Sequence, residues 1–269
     1  FVQKYGLNPD CKVSVGSGDN PQAKVLVVGD LLSLGTSFVN MVETDGNTLD
    51  MSGLANGMYD GIGRPFMFVC RINGAMVWDA IRALYGLGKE DYGPAEQSLQ
   101  GVALGSSMTF CQPRNESLPP SGNFDIIRVA PHAHSALGLD YAGIIETSLA
   151  AVYIHSEGFT KSPAAPLCVT GGASDSPEIM KRAAAIWNRE LIPMQKSGPA
   201  LGAAVAGAYS YCSFQNEPFD IEHFSQKLLK RSTPIRPKPA DVAAYHGPGK
   251  YLERFRAEEA NIVAEHPIG

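Results

Sequence analysis

Pro166–Trp187 reads PLCVTGGASDSPEIMKRAAAIW, and this stretch fixes the class of fold. Pro166–Thr170 is a short apolar run of the kind that forms a buried strand, and Gly171–Ser176 is a glycine-containing turn. Pro177–Trp187 follows as a helix. Ser176 is a good N-cap, Pro177 suits the first helical position, and Glu178 favours the positive end of the helix dipole. Ile179, Ala183 and Ile186 recur at helical spacing and give that helix an inner face. A strand, a tight turn and a helix in so few residues are the unit of an α/β domain.

The same alternation extends outward in both directions. Val13–Asn20, VSVGSGDN, is read as a short β-branched strand ending in a glycine-rich turn, with Pro21 early in a helix and Asp19 or Asn20 near its cap. Leu31–Val42, LLSLGTSFVNMV, is apolar and β-prone, interrupted at Gly35. Asp45-Gly46 is a strong hairpin signal, so strand, turn, strand is expected across this region. Ala75–Tyr85 is an amphipathic helix with Val77, Ile81 and Leu84 on one face and Gly86 to close it. Residues 88–124 are polar and rich in Pro, Gly and Ser, which predicts loops around one buried strand, Ser106–Cys111. A second helix is expected over Tyr141–His155 on the stripe Ile145, Leu149 and Val152, with Gly158 as its stop. A helix of small residues starts near Pro199. Beyond Gln215 the chain turns polar, with a Pro-rich linker at Thr233–Pro239 and a last amphipathic helix around Tyr251–Ala264. The expected class is therefore α/β, with a mixed sheet flanked by helices.

Composition narrows the function. With 22 Lys and Arg against 27 Asp and Glu, the chain has a net charge of −5, which argues against general nucleic-acid binding. No apolar run reads as long enough to span a bilayer, the longest small-residue stretch being Ala200–Ala208. The start, FVQKYGLNPDCK, lacks the basic and apolar regions of a signal peptide, and it opens on Phe1 without Met, as a processed chain or a piece of a longer one would. Cys11, Cys70, Cys111, Cys168 and Cys212 are odd in number and never spaced as Cys-x-x-Cys. Reduced thiols in a cytoplasmic protein are the simplest reading.

Three motifs could carry chemistry, and each has a plainer reading. In Gly16-Ser17-Gly18-Asp19-Asn20 a carboxylate flanked by glycines could accept a proton from a hydroxyl nucleophile; otherwise it is a turn with an Asp cap. In Ser33-Leu34-Gly35-Thr36-Ser37 the amides beside Gly35 and the Thr36 hydroxyl could bind phosphate oxygens; otherwise Gly35 is a bulge. In Val169-Thr170-Gly171-Gly172-Ala173-Ser174 a helix N-terminus follows a double glycine and offers free amides to an anion; otherwise it is a tight connection. It is neither a Walker A loop nor Gly-x-Gly-x-x-Gly. His132 and His134 lie close together without an acidic partner at ligand spacing, so a solvated loop outweighs a metal site, and no metal ligands are assigned. Trp78 and Trp187 fall on helices and are read as core. Gly-x-Ser-x-Gly and His-Glu-x-x-His are absent.

In order, GSGDN, SLGTS, INGAMVW (Ile72–Trp78), GGASDSP and GPALGAAVAGAY resemble the C-terminal domain of FGGY-family carbohydrate kinases. No one of these motifs is specific, but their order is, and the resemblance runs from about Val13 to Ala208. It implies an actin-like ATPase fold, related to ribonuclease H, that uses ATP and Mg²⁺ to phosphorylate a sugar hydroxyl. It places Asp19 at the catalytic base and Asn20, with Asp19, at the sugar. It places Gly35 and Thr36 near the phosphates, and Gly74, Gly171, Gly172 and Ser176 along the nucleotide. Asn20, where glycerol kinases tend to have Gln, tilts the expected substrate toward xylulose, as do RNESLPPSGNFD and IETSLAAVYIHSEGF. The resemblance further implies a core of about 13–212 with a helical tail at 213–269.

Family members are about twice this length, and their other half carries the Asp-x-Gly-Thr-Thr-type phosphate loop and most sugar contacts. The expected partners are thus a small sugar and that N-terminal half, with a homodimer left open. Asp19 also stands nearer to SLGTS than is usual in the family, and Ser176 replaces a polar amide. Two other expectations compete: a non-catalytic actin-like nucleotide-binding module, and a kinase for another polyol or ketose such as glycerol or ribulose.

Overall fold

The computed structural model describes residues 2–130, 135–194 and 198–265. In chain order the elements are α1 (Val2–Tyr5), α2 (Asp19–Lys24), β1 (Leu31–Leu34), β2 (Phe38–Glu43), β3 (Ala55–Tyr59), β4 (Pro65–Arg71), α3 (Ala75–Leu84) and α4 (Tyr92–Gln100). They continue with β5 (Thr109–Glu116), β6 (Gly122–Arg128), α5 (Leu137–Ile154), β7 (Leu167–Thr170), α6 (Pro177–Trp187) and β8 (Leu191–Pro193). Helices α7 (Pro199–Gln215), α8 (Ile221–Leu228), α9 (Pro239–Tyr245) and α10 (Tyr251–Glu265) complete the chain.

The main sheet has the order β3-β4-β2-β1-β7-β8, and β5 and β6 form a separate antiparallel ribbon. Strands β3, β4, β2 and β1 pair antiparallel, whereas β7 runs parallel to β1 and β8 parallel to β7. The inner strands of this mixed sheet are buried on both faces, whereas the edge strand β3 is largely exposed. Leu32, Leu34, Phe38, Val42, Met67 and Val69 point into one core with α3, α5 and α6. Their alternates Leu31, Val39, Met41 and Phe66 point into the other, which holds Val205 and Ala206 of α7. Two buried faces explain why the strands read as continuous apolar runs instead of alternating ones.

Two sequence expectations about strands do not hold. Val13–Gly16 is not a strand: Val13 and Val15 are 94% and 95% exposed, because no described strand supplies a ladder for them. The hairpin turn is at Gly35–Ser37, where the Gly35 N–H donates to the Ser37 carbonyl at 3.2 Å. It is not at Asp45-Gly46, because β4 takes the place beside β2; the Asp45 carboxylate instead accepts from the Asn47 N–H within the excursion to β3.

Residues 88–124 are more ordered than their composition suggests. Pro94 falls in the first turn of α4, where it costs nothing, and that helix buries only Ala95 and Leu99. The single strand expected at Ser106–Cys111 is a two-stranded ribbon. Helix α5 begins earlier than the stripe Ile145, Leu149 and Val152 indicates, because it is buried on every side from Asp140 to Val152. By length and composition it could cross a bilayer, contrary to the sequence expectation, but here it is the central core helix. The last helices also join that core. Phe255 is fully buried and stacks on Phe110 with centroids 5.5 Å apart, a burial contributing roughly 1.5–3 kcal/mol.

The small residues of α7 serve a close crossing. A Cβ on Gly202 would lie 1.8 Å from the Gln22 carbonyl oxygen, so only glycine lets α7 pack on α2. Behind it, buried Lys24 donates to the Val27 carbonyl at 2.9 Å, and its burial and the neighbouring Arg64 lower its pKa to about 8.

Candidate active site

A cleft of about 910 Å³ opens at the carboxyl ends of the parallel strands β1, β7 and β8, lined there by Ser33, Thr170 and Met194. That end of an open α/β sheet is where chains leave in divergent directions and ligands can enter. Asp19 and Asn20, from the first turn of α2, form one wall, and Gly171, Gly172, Ser174 and Asp175 form another. Gly198 and Pro199, at the start of α7, and Lys230 complete the rim.

The structure therefore brings Asp19, Asn20, Gly171 and Gly172 together across a sequence separation of about 150 residues. Asp19 is exposed, and its Oδ1 accepts from the Asn20 N–H at 2.8 Å. It is not the cap of α2, a position taken by Gly18. The turn after β7 is a single 3-10 turn, Gly172–Asp175, fastened by the Ser174 hydroxyl donating to the Gly171 carbonyl at 2.7 Å.

Gly35, Thr36, Gly74 and Ser176 are placed differently. Gly35 and Thr36 form the tip of the β1–β2 hairpin, with Thr36 exposed. Gly74 lies beneath that tip: a Cβ there would stand 2.6 Å from the Thr36 carbonyl oxygen, and the next amide, of Ala75, donates to the Gly35 carbonyl at 3.1 Å. Ser176 does not line the cleft. Its oxygen accepts from the Ile179 N–H at 3.1 Å and its hydroxyl donates to Glu96, whose other oxygen accepts from the Glu178 N–H at 2.7 Å. The anion expected at the start of α6 is thus supplied from within, by Glu96 of α4. Sequence reasoning could not find this pair, because α4 itself was hidden by its Gly and Pro.

Asp175 and Lys230 in the cleft were also missed. Asp175 directly follows the Val169–Ser174 motif, whereas Lys230 sits in a polar stretch with no local signal. Trp78 and Trp187 are core residues as expected, Trp78 lying 4.6 Å from the Phe38 ring centroid. All five cysteines are free. His132 and His134 lie outside the described residues.

Among the described residues no group of three or more His, Cys, Asp and Glu side chains could hold a metal ion. A Mg²⁺ bound by phosphate oxygens with one or two carboxylates fits this cleft, since Asp19 and Asp175 both line it. A nucleotide also fits, because a Cβ on Gly172 would meet nothing within 4 Å, leaving its backbone bare toward the cavity.

Residues 126–211 match the C-terminal domain of the FGGY family of carbohydrate kinases. That family is what the chain resembles in sequence and in fold. Xylulose kinase 2 of Arabidopsis thaliana is 29% identical over 98% of this chain, which covers 52% of that protein. Among solved structures, xylulose kinase from Rhodospirillum rubrum matches with a TM-score of 0.77 at 15% identity, covering 98% of this chain and 53% of that one. Gluconate kinase from Lactobacillus acidophilus matches with a TM-score of 0.78 at 19% identity, covering 98% and 54%. The fold is the actin-like ATPase fold of these FGGY sugar kinases. The chain spans about half the length of the relatives it matches.

Proposed function

We propose that this chain is the nucleotide-binding half of an ATP-dependent sugar kinase, and that the complete enzyme converts D-xylulose to D-xylulose 5-phosphate. The observation that carries the reading is the meeting of Asp19 with the Gly171-Gly172 turn, bare at Gly172, in one cleft at the carboxyl ends of the strands. Xylulose is favoured by Asn20 beside Asp19 and by relatives named xylulose kinases.

Phosphoryl transfer asks the protein for position, charge and a base. Asp19 takes the proton of the sugar hydroxyl as that oxygen bonds to the γ-phosphorus, and the bond to the bridging oxygen breaks to release ADP. Gly172 lets the backbone approach the nucleotide and Lys230 offsets the charge of its phosphates; the Gly35–Thr36 turn, which lies outside the lining of the cleft, is assigned to the phosphates on the resemblance of its sequence alone. When Mg²⁺ is bound with the nucleotide, Asp175 would be the carboxylate at hand to help hold it, and the ion would supply further charge neutralisation. Ser176 serves this site indirectly, by capping α6 beneath the turn.

The experiment is a comparison of D-xylulose, D-ribulose, glycerol and gluconate as acceptors for the full-length protein with ATP. A clear preference in kcat/KM for D-xylulose is expected, and a preference for any of the other three would overturn the substrate. The 269-residue chain alone is expected to show no sugar-dependent ATP turnover. Robust xylulose phosphorylation by it would overturn the assignment as half of a site.

A further inference from the structure

The ribbon β5–β6 is not part of the main sheet, yet its end residue Glu116 reaches back to the loop that leaves β4. The Glu116 carboxylate is only 6% exposed and accepts hydrogen bonds on both oxygens. Oε1 accepts from the N–H groups of Ile72 at 2.9 Å and Ser117 at 3.0 Å. Oε2 accepts from the Asn73 N–H at 2.8 Å and its Nδ2 at 3.1 Å. Asn73 is fully buried, and its side chain also bonds both backbone groups of Arg114, at 2.9 and 3.1 Å. The Arg71 Nε donates to the Asn73 carbonyl at 3.1 Å, which completes a closed polar clamp.

Asn73 is followed by Gly74, whose backbone lies against Thr36 and Ser37 so closely that a Cβ would overlap both. The chain of contact runs from Glu116 through Asn73 and Gly74 to the tip of the β1–β2 hairpin. We propose that Glu116 is a positioning residue for the Gly35–Thr36 turn, so that the β5–β6 ribbon sets the affinity of the kinase for its nucleotide. This rests on the reading of that turn as a phosphate contact. A buried acceptor facing several donors is worth little as packing but fixes geometry, because each donor left unpaired would carry its own desolvation cost.

Glu116→Gln in the full-length kinase tests it. The substitution keeps the shape but turns one oxygen into an NH₂ group facing two N–H donors. The KM for ATP is expected to rise roughly tenfold, as for one lost hydrogen bond to a charged group, with the KM for the sugar unchanged. A merely structural role would lower the melting temperature and the amount of active enzyme, and hence the apparent kcat, while leaving the KM for ATP in place; that result would overturn the proposal. If Glu116→Gln fails to fold, Asn73→Ser is read by the same division between KM and kcat. Thr36→Val separates the two layers of the argument. If it leaves the KM for ATP unchanged, the phosphate reading of the turn falls; if it raises that KM and Glu116→Gln does not, only the positioning role falls.

Discussion

The carbonyl oxygen of Leu34 lies 2.2 Å from the point where a Cβ on Gly171 would stand. Gly171 also has φ +104°, a left-handed conformation that side chains resist. It is therefore held as glycine by the fold, where the end of β1 meets the exit of β7. The next residue is different, since a Cβ on Gly172 would enter open space in the cleft.

The pair separates stability from binding. Gly171→Ala is expected to destabilise the protein by roughly 1–3 kcal/mol from backbone strain alone, with the clash against Leu34 added to it. Gly172→Val is expected to leave the melting temperature in place and to raise the KM for ATP in the full-length enzyme. Thermal unfolding and nucleotide kinetics on both variants check this. An unchanged KM for ATP in Gly172→Val would remove the turn from the nucleotide site.

These two glycines also show how far a sequence can be read. Strand, turn and helix over Pro166–Trp187 were legible because the signals are local: an apolar run, a double glycine, then Ser-Pro at a helix start. The helix is found at Pro177–Trp187, with Ser176 as its cap. What was not legible depends on distant partners. Whether Val13–Gly16 forms a strand depends on a neighbour that no local pattern reveals. The same holds for Glu96 at the start of α6 and Lys230 in the cleft, which reach their places only through tertiary packing. Sequence alone also could not divide Gly171 from Gly172, since the difference lies in the position of Leu34.

A pH effect follows from Glu146, which is fully buried between α5, α6 and α9. Its carboxylate accepts from Arg182 Nε at 3.2 Å, from the Tyr245 hydroxyl at 2.8 Å and from the Gly105 N–H at 3.1 Å. Burial outweighs these partners and raises its pKa from 4.5 to about 7. Between those values the folded chain keeps a proton that the unfolded chain has released. Its contribution to stability is therefore present at low pH and is lost as the pH rises toward 7. Glu146→Gln stays neutral throughout and lacks that slope. The difference in melting temperature between the parent and Glu146→Gln is expected to shift in favour of the variant as the pH rises from 5 to 7. An unchanged difference between pH 5 and 7 would show that the attraction of Arg182 outweighs burial.

The sharpest prediction concerns Asp19. Its place is set from behind by the crossing of α2 on α7, where Gly202 admits the Gln22 carbonyl, and its side chain is left exposed at the cleft. Had Asp19 been the helix cap, its charge would serve α2, but Gly18 is the cap and, among the described residues, the Asp19 side chain bonds its neighbour Asn20 alone. Asn at position 19 can still accept from the Asn20 N–H and has nearly the same shape, so the helix loses only a weak interaction with its dipole. It cannot take a proton from a hydroxyl. With Asp19 as the proposed base, Asp19→Asn in the full-length protein is therefore expected to lower turnover by roughly 10²–10⁴-fold, the usual range for loss of a general base. The KM for ATP and the melting temperature should change little. Turnover and thermal unfolding measured on the same preparation decide the matter. Near-normal turnover would take Asp19 out of the mechanism, and a fall in both would make its role structural.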